Sequence, residues 1–149
     1  MLCQPKLACS SILRRIPMKM NSFSSCYGQL TLHMCFVVKY RHKVFARPRI
    51  KKICEKEMLR TAEKHGIEIK EIGFEADHVH LLVSVNPTLS PAKIAHLLKG
   101  ASAFVLFRAF PWLKKVYFWC GHFWSPAYFF DSVGTNTYEH LENYVRSQN

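Results

Sequence analysis

Two histidines, His78 and His80, stand two positions apart in the run Ala76-Asp77-His78-Val79-His80-Leu81-Leu82-Val83-Ser84-Val85, which reads as a buried β-strand. Successive strand side chains alternate between faces, so the two imidazoles point the same way while Val79 and Leu81 point the other. Paired imidazoles on one face are the beginning of a metal site, although a pair of ordinary surface histidines at a strand end has the same spacing. The same alternation turns the neighbouring Asp77 away from the ligand face. Near the other end of the chain, Tyr144 and Gln148 lie at i and i+4, on one face of a helix. Alone, they read first as an amphipathic core anchor and a frayed, solvated helix end. Set beside His78 and His80 they make a coherent site. Two imidazole nitrogens and an amide oxygen can hold a divalent cation with positions open for phosphate oxygens, and a tyrosine beside that cation can be a nucleophile.

Positioning these groups requires a framework, and the hydrophobic pattern supplies one. Gln29 to Tyr40, with Leu30, Leu32, Met34, Cys35, Phe36, Val37 and Val38, reads as a first strand. Pro48 suits the first turn of a helix running to about His65, with an apolar stripe of Ile50, Ile53, Met58 and Leu59 and Gly66 as its stop. Ile67 to Glu75 alternates Ile67, Ile69, Ile72 and Phe74 with Glu and Lys, a second strand, and His78 to Val85 is the third. Asn86-Pro87 ends it. Ser90 caps a second helix with Pro91 in its first turn, Ile94, Leu97, Leu98 and Val105 inward, and Pro111 as its end. The aromatic stretch Val116 to Trp124 is expected to pair with Tyr128 to Val133 as a hairpin or broken edge strand. After Gly134, Thr137 caps a last helix from Tyr138 to Gln148. The order strand–helix–strand–strand–helix–strand predicts an α+β fold: a ferredoxin-like (split βαβ, RRM-like) antiparallel sheet with two helices on one face, plus a C-terminal helix carrying Tyr144.

Length and composition set the bounds. A chain of 149 residues, 49% hydrophobic, is one packed domain and not a disordered one. A formal charge of +11 points to a polyanionic partner, without separating DNA from RNA or an anionic membrane. No apolar run is long enough to span a bilayer. Cys3, Cys9, Cys26, Cys35, Cys54 and Cys120 form no C-x-x-C pair, and read as reduced thiols of a cytosolic protein, neither a disulfide framework nor a zinc site. Residues 1–28 are expected to be a disordered or spurious extension, since the first twenty lack the apolar centre and small-residue cleavage site of a signal peptide and Met18 and Met20 offer later starts.

Four stretches then carry a family resemblance over nearly everything from residue 29 onward: Val37-Val38-Lys39-Tyr40-Arg41-His42-Lys43-Val44-Phe45; Asp77-His78-Val79-His80-Leu81-Leu82-Val83-Ser84; Leu98-Lys99-Gly100; and Trp124-Ser125-Pro126-Ala127-Tyr128-Phe129-Phe130-Asp131-Ser132-Val133-Gly134, followed by Tyr144-Val145-Arg146-Ser147-Gln148. In this order and spacing the chain resembles the single-tyrosine HUH transposases of the IS200-like insertion sequences. Two departures stand out: Val38 where typical members have Thr, and the long leading extension.

The resemblance implies that residues 29–149 are a transposase domain, that His78 and His80 are metal ligands, that Gln148 is the third protein ligand and that Tyr144 is the catalytic tyrosine. The implied cofactor is a divalent ion, Mg²⁺ or Mn²⁺. The implied reaction is cutting and rejoining of single-stranded DNA with hairpin ends through a 5′-phosphotyrosine intermediate. The implied assembly is a homodimer whose last helix acts in trans. Lys39, Arg41, Lys43, Lys93 and Lys99 are candidate phosphate contacts, and Trp112, Tyr117, Trp119 and Trp124 candidate stacking platforms, against the alternatives of a solvated basic face and core aromatics. The rival reading is a non-catalytic single-stranded nucleic-acid-binding protein on the same fold, a domesticated or inactive transposase. A two-histidine phosphoesterase is excluded, because no histidine of the chain is followed two places on by Thr or Ser.

Overall fold

The computed structural model describes residues 21–23, 26–28, 30–133, 145 and 147. Two short strands, β1 (Asn21–Phe23) and β2 (Cys26–Gly28), pair antiparallel ahead of the main sheet. That sheet has four strands, β3 (Leu30–Val37), β4 (Glu68–Phe74), β5 (His78–Val85) and β6 (Phe129–Ser132), in the order β4-β5-β3-β6 with every neighbour antiparallel. Helices α1 (Pro48–Lys64) and α2 (Pro91–Ala109) connect β3 to β4 and β5 to β6, the second by way of the short helix α3 (Pro111–Val116). This is the expected split βαβ arrangement.

Register explains which residues go inward. Leu32, Met34 and Phe36 of β3 stand opposite Val83, Leu81 and Val79 of β5, which in turn stand opposite Ile69, Ile72 and Phe74 of β4. These side chains share one face and join Ile50, Met58, Ile94, Leu98 and Leu106 of the helices in a single core. The other face carries His33 and Cys35 of β3 and His78, His80, Leu82 and Ser84 of β5.

The helix termini follow local chemistry. The Ser90 hydroxyl accepts from the Lys93 amide at 3.2 Å, with Pro91 as the first helical residue of α2. At the end of α1, Gly66 takes φ +67°, and the amides of Gly66 and Ile67 donate back to the carbonyls of Glu63 (3.2 Å) and Ala62 (2.9 Å). This reciprocal pair closes the helix with a left-handed residue that glycine tolerates.

Three expectations need correction. The inward stripe of α1 runs through Ile50, Cys54, Glu57, Met58, Thr61 and Ala62, leaving Ile53 half-buried and Leu59 exposed. The Glu57 carboxylate is accommodated there by Arg60 at 2.6 Å and the Thr61 hydroxyl at 3.3 Å. Similarly, α2 turns Ala95, Ser102 and Leu106 inward, and Leu97 and Val105 sit half-buried at the margin. The aromatic stretch Val116 to Trp124 is not a strand. It begins as the end of α3 and continues without regular structure to a single bridge between Trp124 and Val38. Phe118, Phe123 and Trp124 are needed in the core, and Trp124 also donates its indole N–H to Ser102 at 3.0 Å. The following segment therefore pairs as β6 with the edge of β3, whose ladder groups would otherwise go unpaired.

The expected last helix lies outside the described residues, apart from Val145, which is helical and fully buried, and Ser147, which is exposed. Among the described residues no helix is long and apolar enough to cross a membrane.

Candidate metal centre

Strand β5 opens on His78, and His80 follows on the same face. Their Nε2 atoms lie 3.1 Å apart, with ring centroids at 4.9 Å. Two nitrogens bound to one ion at about 2.05 Å stand about 2.9 Å apart when at right angles and about 3.3 Å apart in a tetrahedron. The observed separation falls between these values, so the two imidazoles fit a shared cation.

Each ring is held from behind. His78 Nδ1 lies 2.6 Å from Asp77 Oδ1, and a carboxylate can only accept, so the Nδ1–H of His78 donates to it and the ring is held with Nε2 directed at His80. Asp77 Oδ2 accepts from Arg41 Nε at 2.9 Å. Burial works against the Asp77 charge, but the bond from His78 and the Arg41 guanidinium outweigh it and hold the carboxyl below its ordinary range. On the other side, His80 Nδ1 lies 3.1 Å from His33 Nε2, and the two rings stack at 5.3 Å. Burial first, then the neighbouring His78 and His33, pushes His80 down to about 4, which keeps it neutral and ready to coordinate at physiological pH. A hydrogen-bond partner behind each ring, orienting it, is the arrangement common to metal-bound histidines.

Asp77 therefore does not face away. It sits in the bend before β5, where strand alternation does not yet govern, and reaches back to its neighbour's ring. Cys35 also enters the site. It stands opposite His80 in the β3–β5 ladder, and one ligand atom from each of Cys35, His78 and His80 lies within 4.8 Å of the others. Burial pushes the Cys35 thiol up, countered in part by Arg41. Neither Cys35 nor His33 is recognisable in the sequence, because only the pairing of β3 with β5 brings them beside the His-x-His pair.

The basic residues are spread over several environments. Lys39 and Arg41 belong to a 3-10 turn after β3, in which Tyr40 and Arg41 take positive φ of 59° and 53°, a strained conformation that delivers the guanidinium to Asp77. The Lys39 ammonium lies 5.1 Å from the Tyr40 ring centroid. Lys43 lines a cavity of about 110 Å³ with Arg47, Trp112 and Tyr117, where Arg47 stacks over Trp112 at 4.3 Å. Lys93 is exposed in the first turn of α2. Lys99 is turned inward, donating to the carbonyls of Ser125 (2.7 Å), Pro126 (3.2 Å) and Ala127 (3.4 Å), and burial lowers its affinity for the proton. Of the candidate stacking aromatics, Trp119 is 77% exposed, Trp112 and Tyr117 are half-buried, and Trp124 is core. Tyr144 and Gln148 lie outside the described residues.

Fold and site together define an α+β protein whose antiparallel sheet presents a paired-histidine centre on the face opposite its helices. Residues 26–148 match the family described as transposase, IS200-like, and the chain belongs to that family. It is 35% identical over 134 residues to the ISDra2 transposase TnpA of Deinococcus radiodurans, covering 89% of this chain and 94% of that one. The transposase of insertion sequence IS200 from Salmonella typhimurium is 30% identical over 123 residues, 78% of this chain and 74% of that protein. Among solved structures, a Deinococcus radiodurans protein described as a transposase superposes with a TM-score of 0.70 at 29% identity, over 87% of this chain and 98% of that one. A REP-associated tyrosine transposase bound to a REP hairpin shares the fold, with a TM-score of 0.58 at 14% identity over 85% of this chain and 70% of that one.

Proposed function

We propose that this IS200-family transposase cuts and rejoins single-stranded DNA at insertion-sequence ends by tyrosine transesterification. The observation that carries the reading is the convergence of His78 and His80 Nε2 atoms at 3.1 Å, each ring held from behind, in a chain of this family. His78, His80 and Gln148 hold a divalent ion, Mg²⁺ or Mn²⁺. When bound, that ion supplies Lewis-acid polarisation of the phosphate and a template for in-line attack.

The chain's own residues do the rest. The Tyr144 phenol oxygen attacks the scissile phosphorus, the P–O3′ bond breaks, and the phenol's proton ends on the departing 3′-oxygen. The product is a 5′-phosphotyrosine and a free 3′-hydroxyl. A 3′-hydroxyl from the other DNA end then attacks the phosphotyrosine, re-forming a phosphodiester and releasing Tyr144. The bond energy is conserved, so neither ATP nor water as nucleophile is required. Asp77 and His33 are positioning residues, acting through His78 and His80.

A net charge of +11 suits a polyanionic substrate, and the hairpin held by the REP-associated relative supports DNA hairpins at the element ends as the recognised shape. Lys39, Lys43 and Lys93 are the proposed phosphate contacts, with Arg41 dividing its charge between DNA and Asp77. The transposase domain is assigned to residues 29–149, and the working unit to a homodimer in which the Tyr144 helix acts on the partner's histidines.

The test is a denaturing gel of the purified chain with labelled single-stranded DNA carrying the cognate element end, with and without Mg²⁺ or Mn²⁺. A metal-dependent covalent adduct that disappears in Tyr144→Phe, with DNA binding retained, is expected. Cleavage that survives Tyr144→Phe and leaves a free 5′-phosphate points to a hydrolytic nuclease. Binding without an adduct on a verified end points to a non-catalytic binding protein.

A further inference from the structure

Among the described residues, one group of three metal-ligating side chains comes together, and its third member is Cys35. We infer that Cys35 is a ligand of the same centre and that it turns the site toward a soft ion, Zn²⁺ in particular, in preference to Mg²⁺. This inference rests on the metal reading of His78 and His80 given above.

The geometry follows from the ladder. Cys35 and His80 are cross-strand partners, so their side chains leave the sheet on the same face, and His78 stands one step along that face opposite Val37. The ligand atoms of the three residues lie within 4.8 Å of one another. In a tetrahedral zinc centre sulfur and nitrogen ligands stand about 3.6 Å apart, so a side-chain adjustment of about 1 Å or less brings all three onto one ion. His33 does not compete for the place, since its Nε2 is already directed at His80 Nδ1.

The donor chemistry decides the preference. Mg²⁺ takes oxygen ligands in a near-ideal octahedron, whereas two imidazoles and a thiolate match Zn²⁺ and, next, Co²⁺. With Cys35, His78 and His80 on the ion, the fourth position is shared between Gln148 and an incoming phosphate oxygen, which displaces the weaker amide ligand or expands the zinc to five-coordinate. Coordination displaces the thiol proton to solvent, so each ion bound releases one proton from Cys35.

Co²⁺ reports on this directly, because a cobalt–thiolate bond gives an intense near-ultraviolet charge-transfer band that nitrogen and oxygen ligands do not. The full chain, kept reduced, is titrated with Co²⁺ alongside Cys35→Ser, Cys35→Ala and His78→Ala/His80→Ala, with melting curves to show that each variant folds. The expected result is one equivalent of Co²⁺ with the charge-transfer band, the band lost in both Cys35 variants, and Zn²⁺ affinity reduced about tenfold or more in them. One equivalent of Co²⁺ bound without the band, unchanged by the Cys35 variants and lost with the histidines, overturns the Cys35 ligand and leaves the two-histidine site standing. Binding that ignores the histidine substitutions overturns the metal reading, and this inference with it.

Discussion

Asp77→Asn is the sharpest probe of the centre, because it leaves the shape of the side chain intact and removes only its charge. The carboxylate holds His78 through a 2.6 Å bond at 13% side-chain exposure, short and largely shielded from water. An asparagine can still present an oxygen to the Nδ1 proton, but without the negative charge that makes the imidazole a stronger donor to an ion. Losing such a partner lowers metal affinity about 10- to 100-fold, or about 1.4–2.7 kcal/mol. Arg41 supplies the contrast. It bonds the same carboxylate at 2.9 Å, yet its side chain is 69% exposed, and an ion pair in that setting contributes about 0–1 kcal/mol. Arg41→Ala should therefore weaken metal binding less than about fivefold. The assay is Mn²⁺ binding followed by electron paramagnetic resonance or calorimetry, with melting curves as the folding control. The backbone role of Asp77, accepting from the Val38 amide at 2.9 Å, survives either substitution. Mn²⁺ affinity in Asp77→Asn within twofold of the parent, or an Arg41→Ala effect as large as that of Asp77→Asn, would refute the positioning argument.

Two further outcomes are expected. His80 is held down to about 4 from an ordinary value of 6.5, and burial also lowers His33, so the folded chain resists protons that the unfolded chain accepts. Their stabilising contribution is complete above pH 6.5 and declines as pH falls, that of His80 levelling off near 4; melting temperatures of the metal-free protein should drop between pH 7.5 and 5, and a flat or rising trend contradicts this. Lys99→Met removes an ammonium that ties down three carbonyls of the 125–127 segment, and should cost about 1–2 kcal/mol in chemical denaturation; a loss of DNA affinity with unchanged stability would instead make Lys99 a phosphate contact.

Much of the molecule was legible in the sequence because it is written in local periods and local chemistry. His78 and His80 share a face by the two-residue repeat of a strand, and that holds wherever the strand goes. Ser90 with Pro91, and Gly66 after α1, mark helix ends through hydrogen bonds spanning only a few residues. The order of strands and helices then left few topologies open, and the split βαβ sheet is the one observed. The inward faces of the helices were less legible. Glu57 and Ser102 look polar in sequence but are buried with their partners beside them, while Leu59 looks apolar and faces out.

What the sequence determined by itself was the set of elements, the pairing of two imidazoles on one strand face, and a formal net charge of +11. What only the tertiary structure decided was the company those imidazoles keep. His33 and Cys35 come from a strand more than forty residues away, Arg41 from a strained turn, and Asp77 from a bend outside the strand pattern. The same holds for the segment 117–124, whose aromatics fill the core instead of forming a strand, and for β6, which took the edge of β3 instead. The physical reason is register: slipping β3 by one residue against β5 would turn Met34 and Phe36 out of the core, so burial of those side chains sets the alignment and, with it, the placing of Cys35 and His33 beside the paired histidines.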